Sequence, residues 1–154
     1  MSEEKKITRK EFEDRLIALI LSGGTPGLPR RLLDRRVLLT TICLELDRRR
    51  AYTQREIDER LAWWPHRMGG RFGLDHVTLR RALVDDGYLL RDRAGHEYRV
   101  CGNILQGACD PAVLEMNPVE CLEVERERRA VARMRAAEWR ERHGVSSEEA
   151  SSSP

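Results

Sequence analysis

Aromatic side chains make up only 5% of this 154-residue chain. That is too few for an all-β sandwich and fits a helical protein with a small sheet. Long apolar runs are also missing. The longest, Leu16 to Leu21, is far too short to cross a bilayer. The opening Met1-Ser-Glu-Glu-Lys-Lys lacks the apolar stretch of a secretory signal, so the sequence reads as cytoplasmic, with no membrane partner. Net charge is nearly absent at +2, which excludes a polybasic nucleic-acid coat. There is no close cysteine pair of the kind a tight turn presents to zinc. Cys101, Cys109 and Cys121 lie 8 and 12 positions apart with no paired histidine. With Cys43 they read as free thiols in a reducing compartment.

Catalytic signals are lacking as well. No serine, cysteine or lysine comes with a recognisable base and orienting group. Asp85-Asp86 and Glu148-Glu149 are chain neighbours, which point apart and do not flank a substrate. Ser22 to Gly27 has glycines but not the Gly-Lys-Ser/Thr of a phosphate loop. The expectation is no enzyme, no cofactor and no metal.

What is present is a 40% hydrophobic share, enough for a core, and a 35% charged share, which implies a solvated surface. Charge is unevenly placed. Arg30 to Val100 carries 16 basic and 11 acidic residues, whereas Glu115 to His143 carries 7 arginines and 7 glutamates. A basic excess inside one small segment is compatible with phosphate contacts.

Thr8-Arg-Lys-Glu11 and Thr53-Gln-Arg-Glu56 are capping boxes, in which the threonine hydroxyl and the glutamate satisfy each other's backbone amides. Behind the first, Phe12, Leu16, Ile17, Leu19 and Ile20 predict a helix over 9–21. A central helix is expected over 32–47, apolar through Leu33, Val37, Leu38, Cys43, Leu44 and Leu46. Arg48 to Arg50 suits its negative end. The second box opens a helix that ends near Trp64, because Pro65 disfavours helical geometry before it. Of Trp63 and Trp64, one ring is expected in the core and the other over the domain edge. His66 to Gly73 reads as a loop, and Asp75 caps a helix over 76–86 ended by Gly87. Tyr88 to Arg91 and His96 to Val100 form a hairpin about Asp92-Arg-Ala-Gly95. Residues 101–117 read as irregular, 120–143 as a charged helix with a thin stripe at Val124, Val131 and Met134, and 145–154 as disordered.

The fold class is therefore mainly α with a small β-hairpin, a winged helix-turn-helix with flanking helices. Its segments are an N-terminal helix and linker (1–27), a winged-helix domain (28–100), an irregular segment with the C-terminal helix (101–144) and a tail (145–154). In this order the third helix keeps an outward face for a major groove. Leu79 and Leu83, flanked by Val77 and Val84, turn inward, leaving Thr78, Arg81 and Asp85 outside. Arg81 is the expected base-edge contact, since its planar fork can bond a guanine bidentately. Thr78 suits a phosphate or a thymine methyl. Arg80 suits a phosphate, as do Arg91, Arg93 and Arg99 on the hairpin and Arg67 and Arg71 in the loop. Duplex DNA is the expected partner, and a homodimer through the flanking helices is left open.

The same stretch resembles a bacterial domain-of-unknown-function family, numbered two thousand and eighty-seven. The resemblance rests on Leu28-Pro-Arg-Arg, on Tyr52-Thr-Gln-Arg-Glu-Ile-Asp-Glu-Arg-Leu61, and on Asp75-His-Val-Thr-Leu-Arg-Arg-Ala-Leu-Val-Asp-Asp-Gly-Tyr-Leu-Leu-Arg91, followed by Gly95 and Tyr98. It implies a winged-helix-like fold and a regulatory role, without a reaction or ligand. The loop from Trp64 to Leu74 is longer than the family pattern leads one to expect. Two other readings stay open: a protein-interaction adaptor built on the same fold, and a thiol- or metal-responsive sensor using Cys101, Cys109 and Cys121.

Overall fold

A computed structural model describes residues 5–22, 27–68 and 73–144. The chain divides into two units, Met1–Cys121 and Leu122–Pro154. It is mainly helical, with one small antiparallel sheet. The expected tail and the middle of both glycine-rich connectors lie outside the described residues.

In the first unit, α1 (Arg9–Leu21) starts where the capping box places it. Thr8 Oγ1 accepts the Glu11 amide at 3.2 Å, but the Glu11 carboxylate takes the Thr8 hydroxyl, at 3.0 Å, in place of the Thr8 amide. Phe12, Leu16 and Ile20 are buried at i, i+4 and i+8, and α1 packs on α2 (Leu32–Leu44). Arg15 bonds Asp34 at 2.7 Å across that contact. Every residue from Val37 to Cys43 is buried, as a central helix demands.

This helix stops three residues before its expected end at Asp47. Asp47 gives its amide to the Tyr52 hydroxyl at 2.8 Å, and its carboxylate accepts the Arg49 amide at 2.9 Å. A side-chain turn thus replaces the last helical bonds. Tyr52 also begins β1 (Tyr52–Thr53), a strand absent from the sequence reading.

The second capping box is complete: Glu56 N to Thr53 Oγ1 is 3.1 Å and Thr53 N to Glu56 Oε1 is 3.2 Å. The helix behind it, α3 (Gln54–Met68), does not end at Trp64 but runs through Pro65. Trp64 and Met68, one turn apart, are both buried and hold the last turn against the core. The expected loop from His66 to Gly73 is therefore helical as far as Met68, and its residues 69–72 lie outside the described residues.

α4 (His76–Asp85) begins at Asp75, whose Oδ1 accepts the Thr78 amide at 2.7 Å. It ends in a Schellman motif, with Tyr88 N on Leu83 O at 2.8 Å and Gly87 N on Val84 O at 3.1 Å. Gly87 takes φ +83°, the left-handed geometry that this motif needs and that glycine adopts without strain. Then β2 (Leu89–Arg91) and β3 (Glu97–Val100) pair with Leu89 opposite Val100 and Arg91 opposite Tyr98. β3 is central, since β1 pairs on its other edge, giving the order β1-β3-β2.

Residues 101–117 are not irregular: they hold α5 (Gly102–Ala108) and α6 (Pro111–Leu114), which bury Leu105 and Val113. Pro111 sits at the first helical position, where its missing N–H costs nothing. A parallel bridge joins this segment to the start of the chain, with Ile7 N on Ala108 O and Asp110 N on Ile7 O, each at 2.9 Å.

α7 (Pro118–Arg142) is capped by Asn117, whose Oδ1 accepts from Val119 and Glu120 at 3.1 and 3.3 Å. In the second unit it is polar around most of its circumference and laced by pairs one turn apart, the usual support of such a helix. Glu125 meets Arg128 at 2.7 Å and Arg129 at 3.1 Å, and these guanidiniums, Arg128 first, lower its carboxyl to about 2. Val124, Met134 and Trp139 on this helix are 60%, 64% and 56% exposed.

Candidate nucleic-acid interface

α4 carries the first half of the candidate surface. Leu79 and Leu83 are fully buried, Val77 and Val84 are half-buried, and Ala82, not singled out from sequence, completes the inward face. Thr78, Arg81 and Asp85 are exposed, as the helical spacing predicts. Among the described residues, Arg81 has no ion-pair partner, so its guanidinium is available to an incoming acceptor.

Arg80 stands differently. Its guanidinium pairs with Asp58 of α3, and the two side chains are only 17% and 24% exposed. A phosphate would have to share the guanidinium with that carboxylate, and the pair ties α4 to α3. Asp86, at the C-terminal cap of α4, takes a two-pronged bond from Arg35 of α2 at 2.6 and 3.0 Å. Helix α4 is thus held at its middle and at its C-terminal end, with Arg81 on the face turned to solvent.

The hairpin carries the second half. Arg91, Arg93 and Arg99 are exposed, with Arg93 in the turn. Asp92 closes that turn: its carboxylate accepts the His96 amide at 2.7 Å and the Glu97 amide at 3.1 Å. These backbone donors, that of Glu97 first, hold its carboxyl below the usual aspartate range. Gly95 turns at φ +73°, and the Arg91 guanidinium lies where a Cβ on Gly95 would stand, 2.8 Å from Nε. Arg91 is therefore folded across the turn, while Arg93 is exposed and has no ion-pair partner among the described residues.

The other arginines are mostly engaged. Arg67 meets Glu45 at 3.0 Å, Arg48 bonds the Leu114 carbonyl at 3.3 Å, and Arg50 pairs with Glu56 over the Tyr52 ring. Arg71 lies outside the described residues. From Asp75 to Val100, five arginines meet five carboxylates, so the basic excess of the wider segment lies before α4 rather than on the candidate surface. Any attraction to phosphate here rests on where a few arginines point, and not on a strong field.

All four cysteines are free, Cys43 and Cys109 buried and the other two half-buried. Burial pushes both buried thiols up, Cys43 far up, and so keeps them protonated. Cys109 Sγ lies 4.0 Å from Thr40 Oγ1 inside the core. Among the described residues, Cys101, Cys109 and Cys121 are not gathered with other ligand-type side chains into a metal-sized group. None of the described helices is long and apolar enough to cross a membrane.

Residues 27–100 match the model of DUF2087, described as an uncharacterized protein conserved in bacteria. The match spans α2 to β3, with the bounds expected from the sequence. No curated protein and no solved structure gives a match to this chain.

Proposed function

We propose that this protein is a DNA-binding transcriptional regulator, with α4 entering the major groove and the β2–β3 turn resting on the backbone. The observation that carries this reading is the pairing of an unengaged Arg81, beside Thr78 on the exposed face of a clamped helix, with an exposed Arg93 on the adjoining hairpin. Bidentate guanidinium contact with a guanine edge supplies sequence preference, and hairpin arginines supply position. Arg80 has a positioning role through Asp58. The test is binding of the protein to random duplex across a salt series. With charge this balanced, few counterions are released, and the log–log slope is expected at about −2 to −3. Arg93→Ala should reduce it by about one unit. No binding at the lowest salt, or a slope indifferent to Arg93→Ala, would overturn the reading.

A second reading, that the chain works by binding protein, draws on α7. Val124, Val131 and Met134 form an exposed apolar stripe on a helix otherwise studded with charge. The proposed occupant is a second copy, since two reading heads multiply specificity along a palindromic site. Sedimentation equilibrium is expected to give a dimer at tens of micromolar and a monomer for Met134→Asp. A wild-type monomer at that concentration removes the homodimer and leaves α7 to a different protein, as in an adaptor.

A further inference from the structure

A cavity of about 420 Å³ lies between the end of α2 and α3, well away in sequence from the α4 and hairpin arginines. Its size falls in the ordinary range for small-ligand sites. Its base is apolar and buried: Ile42 from α2, Leu46 in the turn just after it, and Leu61 and Trp64 from α3. Beside them, Arg60, Trp63 and Arg67 follow at i, i+3 and i+7 and so share one face of α3. Trp63 is 66% exposed, a cost for so large a ring unless something covers it. Arg67 is neutralised by Glu45, but Arg60 has no carboxylate among the described residues. Its guanidinium stands 6.0 Å from the Tyr52 ring, which Arg50 already covers more closely.

We propose that this groove binds a small planar aromatic anion, the ring lying on Trp63 and the anionic group bonded to Arg60. An apolar base, a wettable indole wall and one guanidinium without a carboxylate partner are complementary to that chemistry, and a neutral ligand would gain no charge-assisted hydrogen bond from it. The anion is a carboxylate or a phosphate, two sources of the same recognition. The inference stands whether or not the protein binds DNA.

Isothermal titration with 2-naphthoate and with adenosine monophosphate tests it, with 2-naphthol as the neutral counterpart. At least one anion is expected to bind, and the tighter one assigns the group. Arg60→Gln and Trp63→Ala should each weaken it about tenfold, the worth of one charge-assisted hydrogen bond or one good stacking contact. The naphthol should bind at least about tenfold more weakly than the naphthoate. Both side chains are exposed, so the variants should melt as wild type does. A measurement on wild type avoids dependence on them: the anion should shift the indole N–H signals of Trp63 and Trp64 and leave that of Trp139 unmoved. No heat with either anion at millimolar concentration, equal binding of the naphthol, or shifts that spare Trp63 would overturn the proposal.

Discussion

Replacing Arg81 by alanine is expected to weaken binding to a preferred duplex by roughly ten- to a hundredfold, about 1–3 kcal/mol, and to relax preference at one base pair. Its thermal midpoint should equal wild type, because Arg81 is exposed and has no ion-pair partner among the described residues. Arg80→Ala should do the reverse. It leaves the Asp58 carboxylate, 24% exposed, without its counter-ion and frees α4 from α3, at a cost of about 1–2 kcal/mol. The pair is neither fully buried nor surface-screened, which sets the estimate between those two regimes. Removing both partners in Asp58→Ala/Arg80→Ala should destabilise less than the sum of the singles, since no orphaned charge remains. Calorimetry and fluorescence anisotropy on wild type, Arg81→Ala, Arg80→Ala, Asp58→Ala and the double variant separate the roles. A stable Arg80→Ala protein that loses as much DNA affinity as Arg81→Ala would return Arg80 to the phosphates and sink the positioning role.

The contrast between these neighbours shows where sequence reading reaches and where it stops. Arg81 was legible because exposure on a helix follows from spacing alone: Leu79 and Leu83 turn inward and Arg81 must turn out. Arg80 was not, because its partner lies 22 residues earlier on another helix, and no local rule names it. The same division runs through the fold. The cap at Asp75, the stop at Gly87 and the hairpin about Asp92 to Gly95 are local devices, each satisfied by neighbours within a few residues, and each stands where expected. β1 was missed because two residues have no periodicity, and Tyr52 is a strand residue only by virtue of Tyr98 opposite it. The early end of α2 likewise depends on a tyrosine hydroxyl five residues on. α5 carried one legible sign of burial, Leu105, and α6 began at Asp110-Pro111, an unused helix-start signal. What fixes both in the first unit is the bridge to Ile7, about a hundred residues away in sequence.

Pro65 is the clearest case of tertiary burial overruling a local rule, and it makes the last prediction. A proline inside a helix costs about 3 kcal/mol. A tryptophan ring buries roughly 150–250 Å², which at about 25 cal/mol per Å² is worth about 4–6 kcal/mol as an upper bound. Trp64 is 2% exposed and Met68 is fully buried one turn on, so packing outweighs the helix breaker between them. Trp64→Ala should therefore cost about 3–5 kcal/mol and fray α3 beyond Pro65. Pro65→Ala should stabilise the wild type by about 1–2 kcal/mol, less than the full propensity difference because proline also stiffens the unfolded chain. Added to Trp64→Ala, it should return a similar amount and restore the lost helical signal. Urea unfolding and circular dichroism on the three variants measure each term. Should Pro65→Ala destabilise the protein, the half-buried ring would itself be a packing element, and the continuation of α3 would rest on proline instead of overcoming it.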